Sequence, residues 1–273
     1  MTHERQHDVD AFPRAPTQAE WEAMSGEERA RVVEALPAEV TWEEMPMPEG
    51  DLHTEARWRA QDALQDYFKP PRRRAYVSVA LPIYYPGERR FAPDLLVVLD
   101  VEPHLRGKWL VSHEGKGLDW VMEVHVGGDR KKDAEDNVRR YARLGIPEYF
   151  IYDRARERLE AYRLPSPDAR EYVRMEPEQG WYFSEVLGLE LQLDGERLRF
   201  WAGNALLLDM EERNERLREM LGRMEQRRAS AEQVRWLDET EHRLEEEARR
   251  REEAERRRAE LQSELERLKS RGP

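Results

Sequence analysis

Two acidic residues sit where packing alone gives no reason for them. Asp94 follows Pro93 and opens the apolar run Leu95-Leu96-Val97-Val98, and Glu123 interrupts Trp120-Val121-Met122-Glu123-Val124-His125-Val126. Short apolar runs of this kind read as buried strands. A carboxylate inside a buried strand is costly unless it is paired, hydrogen-bonded or metal-bound. Two of them on neighbouring strands could hold a hard divalent cation such as Mg²⁺ or Mn²⁺, which prefers carboxylate oxygen and keeps several waters. A site of that kind orients and activates water against a phosphodiester and offsets the charge that builds there. The alternative is a pair of capped or salt-bridged carboxylates, for instance with Arg89, Arg90 or Lys131.

The elements that must position these acids follow from local patterns. Thr17 with Glu20, and Ser25 with Glu28, match the capping box, in which hydroxyl and acid satisfy free backbone N–H groups. They predict helices over 17–24 and 26–35, and residues 37–51, rich in Pro, Glu and Met, read as a loop. A helix is expected from His53 to Phe68, with Ala56, Ala60, Ala63, Leu64, Tyr67 and Phe68 on its apolar side and Pro70-Pro71 as its stop. Strands are expected over 75–85, 91–100 and 118–126, with a possible short one near 109–111 inside the loop 101–117. Arg72-Arg73-Arg74 reads as a solvated turn rather than a phosphate contact.

Residues 129–144 read as a helix capped by Gly145, and 148–153 as a further strand. Strand, helix and strand in that order make a parallel crossover unit. Segments 158–164, 171–175, 180–183 and 197–201 read as shorter strands of an antiparallel extension.

From about Asn204 the character changes. No Gly or Pro occurs between Arg223 and Arg271, and interleaved Glu and Arg support a long charged helix. Leu217, Leu221 and Met224, then Val234, Leu237 and Leu244, give it a seam. The pattern fits a weak or interrupted coiled coil that makes a homo-oligomer through residues 206–270, or a solvated single helix across 245–260. The expected organisation is a polar tail over 1–16, one domain over 17–205 and the charged helix over 206–273.

The composition narrows the function classes. The 273 residues are 38% charged and carry a net charge of −12, which argues against a general nucleic-acid coat but leaves room for a local basic groove. There is no cysteine, so disulfides, thiolate nucleophiles and zinc–cysteine sites are excluded. No signal peptide or membrane-spanning run is read, so a soluble, cytoplasmic protein is expected, with no membrane partner. Phosphate loops of the Gly-x-x-x-x-Gly-Lys type, His-Glu-x-x-His helices and Gly-x-Ser-x-Gly elbows are missing from the sequence.

The constellation resembles the PD-(D/E)XK nuclease superfamily and, within it, the Uma-type family of putative restriction endonucleases. Pro93-Asp94 supplies the first half of the motif, and Glu123-Val124-His125 stands where the second half belongs. The more specific match is the run Asp133 to Asp153, with Tyr141, Gly145 and Glu148-Tyr149-Phe150; His53 and Ser184-Glu-Val-Leu-Gly188 match further positions. The resemblance covers roughly 17–205. It implies an α/β (α+β) fold, a restriction-endonuclease-like mixed sheet flanked by helices. It also implies a metal-dependent endonuclease acting on DNA, with Asp94 and Glu123 as ligands of Mg²⁺ or Mn²⁺.

One departure bears on activity. The motif lysine typical of the family, moved onto the helix after the acidic strand, corresponds here to Asn137, and the strand position itself holds His125. Lys131 or Lys132, one to two helical turns earlier, would have to stand near the phosphate instead. His125 reads either as a metal ligand or base, or as a turn-end histidine without such a task. His53 reads either as a site-edge group or as an ordinary helix-start residue. The alternative function is therefore a catalytically weakened or inactive nuclease fold that serves as a binding or scaffold protein and oligomerises through its C-terminal helix.

Overall fold

The computed structural model describes residues 13–39, 50–127 and 132–269, without the side chains of 132–134, 268 and 269. The chain divides into two units, Met1–Met210 and Glu211–Pro273.

The first unit opens with α1 (Gln18–Ala23) and α2 (Gly26–Ala35), each closed at its start by the expected capping box. Helix α3 (Gly50–Tyr67) follows, then β1 (Ala75–Ser78), β2 (Ile83–Tyr84), β3 (Leu95–Leu99), β4 (Trp109–Leu110) and the short α4 (Val111–Glu114). Next come β5 (Trp120–His125), a π-helical turn (Lys132–Asn137) that continues as α5 (Val138–Arg143), and β6 (Glu148–Asp153). The unit ends with β7 (Arg158–Arg163), β8 (Val173–Arg174), β9 (Trp181–Ser184), β10 (Leu189–Asp194), β11 (Arg197–Ala202) and β12 (Ala205–Leu206).

A six-stranded sheet in the order β1-β3-β5-β6-β7-β8 forms the centre. It is mixed: β5 and β6 run parallel, joined by the crossover through α5, and the other neighbours are antiparallel. The apolar runs bury both faces. Leu95, Val97, Trp120, Met122, Val124 and Phe150 share a core with Ala56, Ala60, Ala63 and Leu64 of α3. Leu96, Val98, Val121, Tyr149 and Ile151 share the other with Tyr141 and Ile146, at and beyond α5. Small alanines let α3 lie close to the sheet, so polar groups on its flank can reach a strand end.

Three expectations need correction. The segment 75–85 is two strands, not one. Ala80 takes a left-handed backbone with φ of 48°, its N–H donates to the Pro93 carbonyl at 3.0 Å, and β2 leaves to pair with β4 in a separate parallel two-stranded sheet. The antiparallel extension holds for β7 and β8 only. Strands β9 to β12 form their own four-stranded antiparallel sheet, and its central strand β10, with Leu189 and Leu191 buried, was not anticipated. The helix expected over 129–144 begins, within the described residues, as a π-helical turn. Its end is as expected: Gly145 has φ of 76°, its N–H reaches the Ala142 carbonyl at 3.0 Å, and the N–H of Ile146 reaches that of Tyr141 at 3.1 Å. This paired closure needs a residue that tolerates a left-handed backbone.

Arg72, Arg73 and Arg74 lie on a turn: Arg72 stacks over the Tyr67 ring, Arg73 pairs with Asp100 and Arg74 with Glu102. Beyond this unit, α6 (Met210–Lys269) is one helix of 60 residues. Leu217, Leu221, Met224, Val234, Leu237 and Leu244 are exposed along it, and Arg223–Glu219 and Arg228–Glu232 pair across a turn at 3.1 and 3.0 Å. Among the described residues no helix is long and apolar enough to cross a membrane.

Candidate active site

Strand pairing brings the two acids together. Leu95 lies opposite Met122 in the antiparallel register of β3 and β5, so Asp94, one residue before β3, falls beside Glu123. The main-chain N–H of Asp94 donates to Glu123 Oε2 at 3.2 Å. The N–H of Val124 donates to Asp94 Oδ2 at 2.8 Å. Both carboxylates are buried, with 9% and 8% of each residue exposed.

Two helices supply the surrounding polar groups. His53 and Arg57 stand four residues apart on α3, hence on one face. His53 Nε2 lies 3.1 Å from Asp94 Oδ2, and Arg57 Nη1 donates to Asp94 Oδ1 at 3.4 Å. From the other side, Tyr141 Oη donates to Glu123 Oε1 at 2.6 Å and Asn137 Nδ2 donates to the same oxygen at 3.3 Å. Tyr141 is held by ring contacts with Phe91 and Tyr149, at centroid distances of 5.4 and 5.0 Å. Asn137 closes the π-helical turn, an irregularity that widens the backbone locally and often lies at functional positions.

Burial pushes the Asp94 carboxyl up. The hydrogen bond and charge of His53, the Val124 N–H and the Arg57 guanidinium outweigh that and hold it below the ordinary carboxylate range.

The remaining sequence candidates divide. His125 is buried at the end of β5, two residues beyond Glu123 and opposite Asp153 of β6. Lys131 lies outside the described residues, and Lys132 is described in its backbone alone, at the start of the π-helical turn. Of the lysines whose side chains are described, Lys69 pairs with Asp66, Lys108 donates to the Leu36 carbonyl, and Lys116 pairs with Asp119. None of these three is at the Asp94–Glu123 pair. Arg90 donates to the Pro37 and Glu39 carbonyls and to Tyr84. Sequence reasoning missed Arg57; its spacing of four from His53 was the available signal.

Another buried acid has a different setting. Glu148, at the start of β6, accepts from Arg163 Nε at 2.9 Å, from the Glu185 N–H at 2.9 Å and from the Ser184 hydroxyl. It ties β6 and β7 to the end of β9 and has no place beside Asp94 and Glu123.

The donor set at Asp94 and Glu123 suits a hard divalent cation. Both acids offer carboxylate oxygen, and among the described residues Asp94 Oδ1 carries only the long bond from Arg57. Among the described residues no group of three or more His, Asp and Glu side chains forms a ready cage. A cation held by Asp94 and Glu123 would complete its shell with water and substrate oxygen, as Mg²⁺ commonly does.

Residues 27–196 match the Uma2 family, described as putative restriction endonuclease. Among solved structures, the chain is similar to a putative nuclease belonging to DUF820 from Anabaena variabilis ATCC 29413. That likeness is 18% identity with a TM-score of 0.41, over 52% of this chain and 76% of the other. No functionally curated protein matches.

Proposed function

The chain belongs to the Uma2 putative restriction endonuclease family, and from that premise we propose that it is a divalent-metal-dependent endonuclease that hydrolyses phosphodiester bonds in DNA. A nuclease-type function is what the family supports. The observation that carries the finer reading is the juxtaposition of Asp94 and Glu123 across β3 and β5, hydrogen-bonded through the Asp94 N–H. Two acids buried side by side are costly, and a scaffold gains little from them.

Phosphodiester hydrolysis needs an oriented water and positive charge where the phosphoryl oxygens become more negative. Asp94 and Glu123 would hold Mg²⁺ or Mn²⁺, which when bound supplies that charge and acidifies water. The protein's own groups do the positioning. His53 and the Val124 N–H fix Asp94 Oδ2, while Tyr141 and Asn137 fix Glu123 Oε1. Fixed carboxylates need little reorganisation when charge develops nearby.

A second reading has one observation in its favour. Asn137 stands where the family typically places a lysine, and it bonds Glu123 rather than bringing a cation. On that reading the fold is a disarmed binding or assembly module, joined to other copies through α6.

Calorimetric titration of Mn²⁺ and Mg²⁺ into the wild-type protein, Asp94→Ala and Glu123→Ala separates the two, followed by cleavage assays on single- and double-stranded DNA. The endonuclease reading expects saturable binding lost in both variants and cleavage in the wild type alone. Metal binding without cleavage would favour the assembly module. No binding at millimolar metal and neutral pH, with no cleavage, would sink the endonuclease.

A further inference from the structure

We propose that Arg57 is the phosphate-binding cation of this site, taking from α3 the part of the motif lysine, at whose position Asn137 stands. The assignment rests on the endonuclease reading and adds to it the group that contacts the substrate backbone.

Arg57 is mostly buried, with its side chain 15% exposed, and it reaches Asp94 of the carboxylate pair. Its attachment there is poor for an arginine. A guanidinium beside a carboxylate ordinarily makes two parallel short bonds. Arg57 makes one bond to Asp94, through Nη1 at 3.4 Å, near the limit for a hydrogen bond. The better-placed oxygen, Oδ2, is engaged by His53 at 3.1 Å and Val124 at 2.8 Å. The Nε–H of Arg57 is buried and has no hydrogen-bond partner among the described residues. An unsatisfied buried donor on a charged group is costly, and native structures retain one mainly where something else comes to meet it. Neighbouring acids on α3 do not meet it: Glu55 is engaged by Arg59 and Arg154, each at 2.9 Å.

These features fit a cation aligned for an oxyanion that sits against the acid pair. The guanidinium fork matches two non-bridging phosphate oxygens. Nη1 holds Asp94 only weakly and the buried Nε is not committed to another described group, so the guanidinium could turn to a phosphodiester without breaking a strong ion pair. A structural counter-ion would show the opposite pattern, with short bonds and no spare donor.

The test measures binding of a fluorescein-labelled DNA duplex and of its single strand. Each is titrated over a series of salt concentrations, in EDTA and again in Ca²⁺, for wild type, Arg57→Gln and Arg57→Lys. Manganese titration of the same three proteins runs alongside, and thermal unfolding checks that each variant folds. The assignment expects Arg57→Gln to weaken DNA binding about tenfold and to lower the salt slope by about one phosphate contact, with Mn²⁺ binding retained. Arg57→Lys should keep the salt slope but lose part of the affinity, because lysine is a point charge without the fork. If Arg57→Gln fails to fold, the lysine variant carries the comparison, and unchanged affinity in it overturns the assignment. Folded Arg57→Gln with wild-type affinity and slope overturns the assignment alone. A wild-type protein that binds neither DNA probe fails the endonuclease reading and takes the assignment with it.

Discussion

The N–H of Asp94 points at the carboxylate of Glu123, 3.2 Å away, from one step beyond the pairing of Leu95 with Met122. Asp94 stands one residue outside β3, so the relationship is set by the first pair of the strand ladder, an anchor in the central sheet. Bringing two acids this close has an electrostatic cost. His53 and Arg57 offset it at Asp94, while Tyr141 and Asn137 offset it at Glu123. Four donors from two helices on opposite faces of one sheet therefore converge on a single strand pair.

The Asp94 side of this balance has a signature in pH. Its carboxyl is held below its ordinary value despite burial, because His53, Val124 and Arg57 favour the ionised form. An acid with a depressed folded pKa adds stability that is fully present above its unfolded value, about 3.9. That stability is lost as pH falls below this value and through the folded one. Asp94→Asn should be less stable than wild type at neutral pH, and the gap should narrow as pH drops below about 3.9. Urea midpoints measured from pH 7 downward would show it; a gap independent of pH would mean that the fold does not favour the ionised form.

Tyr141→Phe isolates the Glu123 side. The ring keeps its contacts with Phe91 and Tyr149, and the hydroxyl bond of 2.6 Å to Oε1 is lost. Hydrogen bonds to charged groups contribute about 1.5–3 kcal/mol, so a destabilisation in that range is expected. If the endonuclease reading holds, Mn²⁺ affinity should fall by more than unfolding explains, since Glu123 would be less firmly placed. Chemical denaturation paired with metal titration measures both; a neutral effect on each would show that Glu123 is held without the Tyr141 hydroxyl.

Much of this geometry was legible from particular residues. The apolar runs around Asp94 and Glu123 announced buried strands, and strand–helix–strand order announced the parallel pair β5 and β6. What escaped was tertiary. Pro82 in the middle of an expected strand was a visible warning that β1 and β2 are separate, because proline cannot donate to a ladder. The second sheet was hidden for a different reason: alternation marks a strand but does not say which sheet it joins. Arg57 was hidden because its spacing of four from His53 marks a shared helix face but does not say that Asp94, 37 residues later, will stand beside it.

Glu148 tests whether a buried acid near the strand system matters for folding without belonging to the site. Burial pushes its carboxyl above the ordinary range, even though Ser184, Arg163 and the Glu185 N–H pull the other way. Removing one partner of a buried pair costs about 3–5 kcal/mol, and Glu148→Ala should lie in that range by chemical denaturation. Glu148→Gln should cost less, because the amide keeps an acceptor for the Glu185 N–H and removes a poorly solvated charge. For a raised acid the sign reverses: the wild type loses stability as pH rises from about 4.3 through the folded value, and Glu148→Gln should lack that loss. If the endonuclease reading holds, metal affinity should be unchanged in the glutamine variant, and a loss there would place Glu148 in the functional site after all.

Asn137→Lys asks whether the site lacks only a charge. Asn137 is buried where the π-helical turn becomes α5, with Nδ2 3.3 Å from Glu123 Oε1. A lysine there would start from the same backbone position, and its ammonium would have Glu123 as a counter-charge, which offsets the cost of burying it. If the endonuclease reading holds, the added cation should raise the DNA cleavage rate about tenfold to a hundredfold, the scale on which a single well-placed donor acts on developing charge. The double variant Glu123→Ala with Asn137→Lys should be inactive, since the carboxylate would be gone. A folded Asn137→Lys that binds DNA and metal as the wild type does but cleaves no faster would show that the missing lysine is not what limits this site. Arg57 would then be the cation to examine, through the effect of Arg57→Gln on cleavage in the same background.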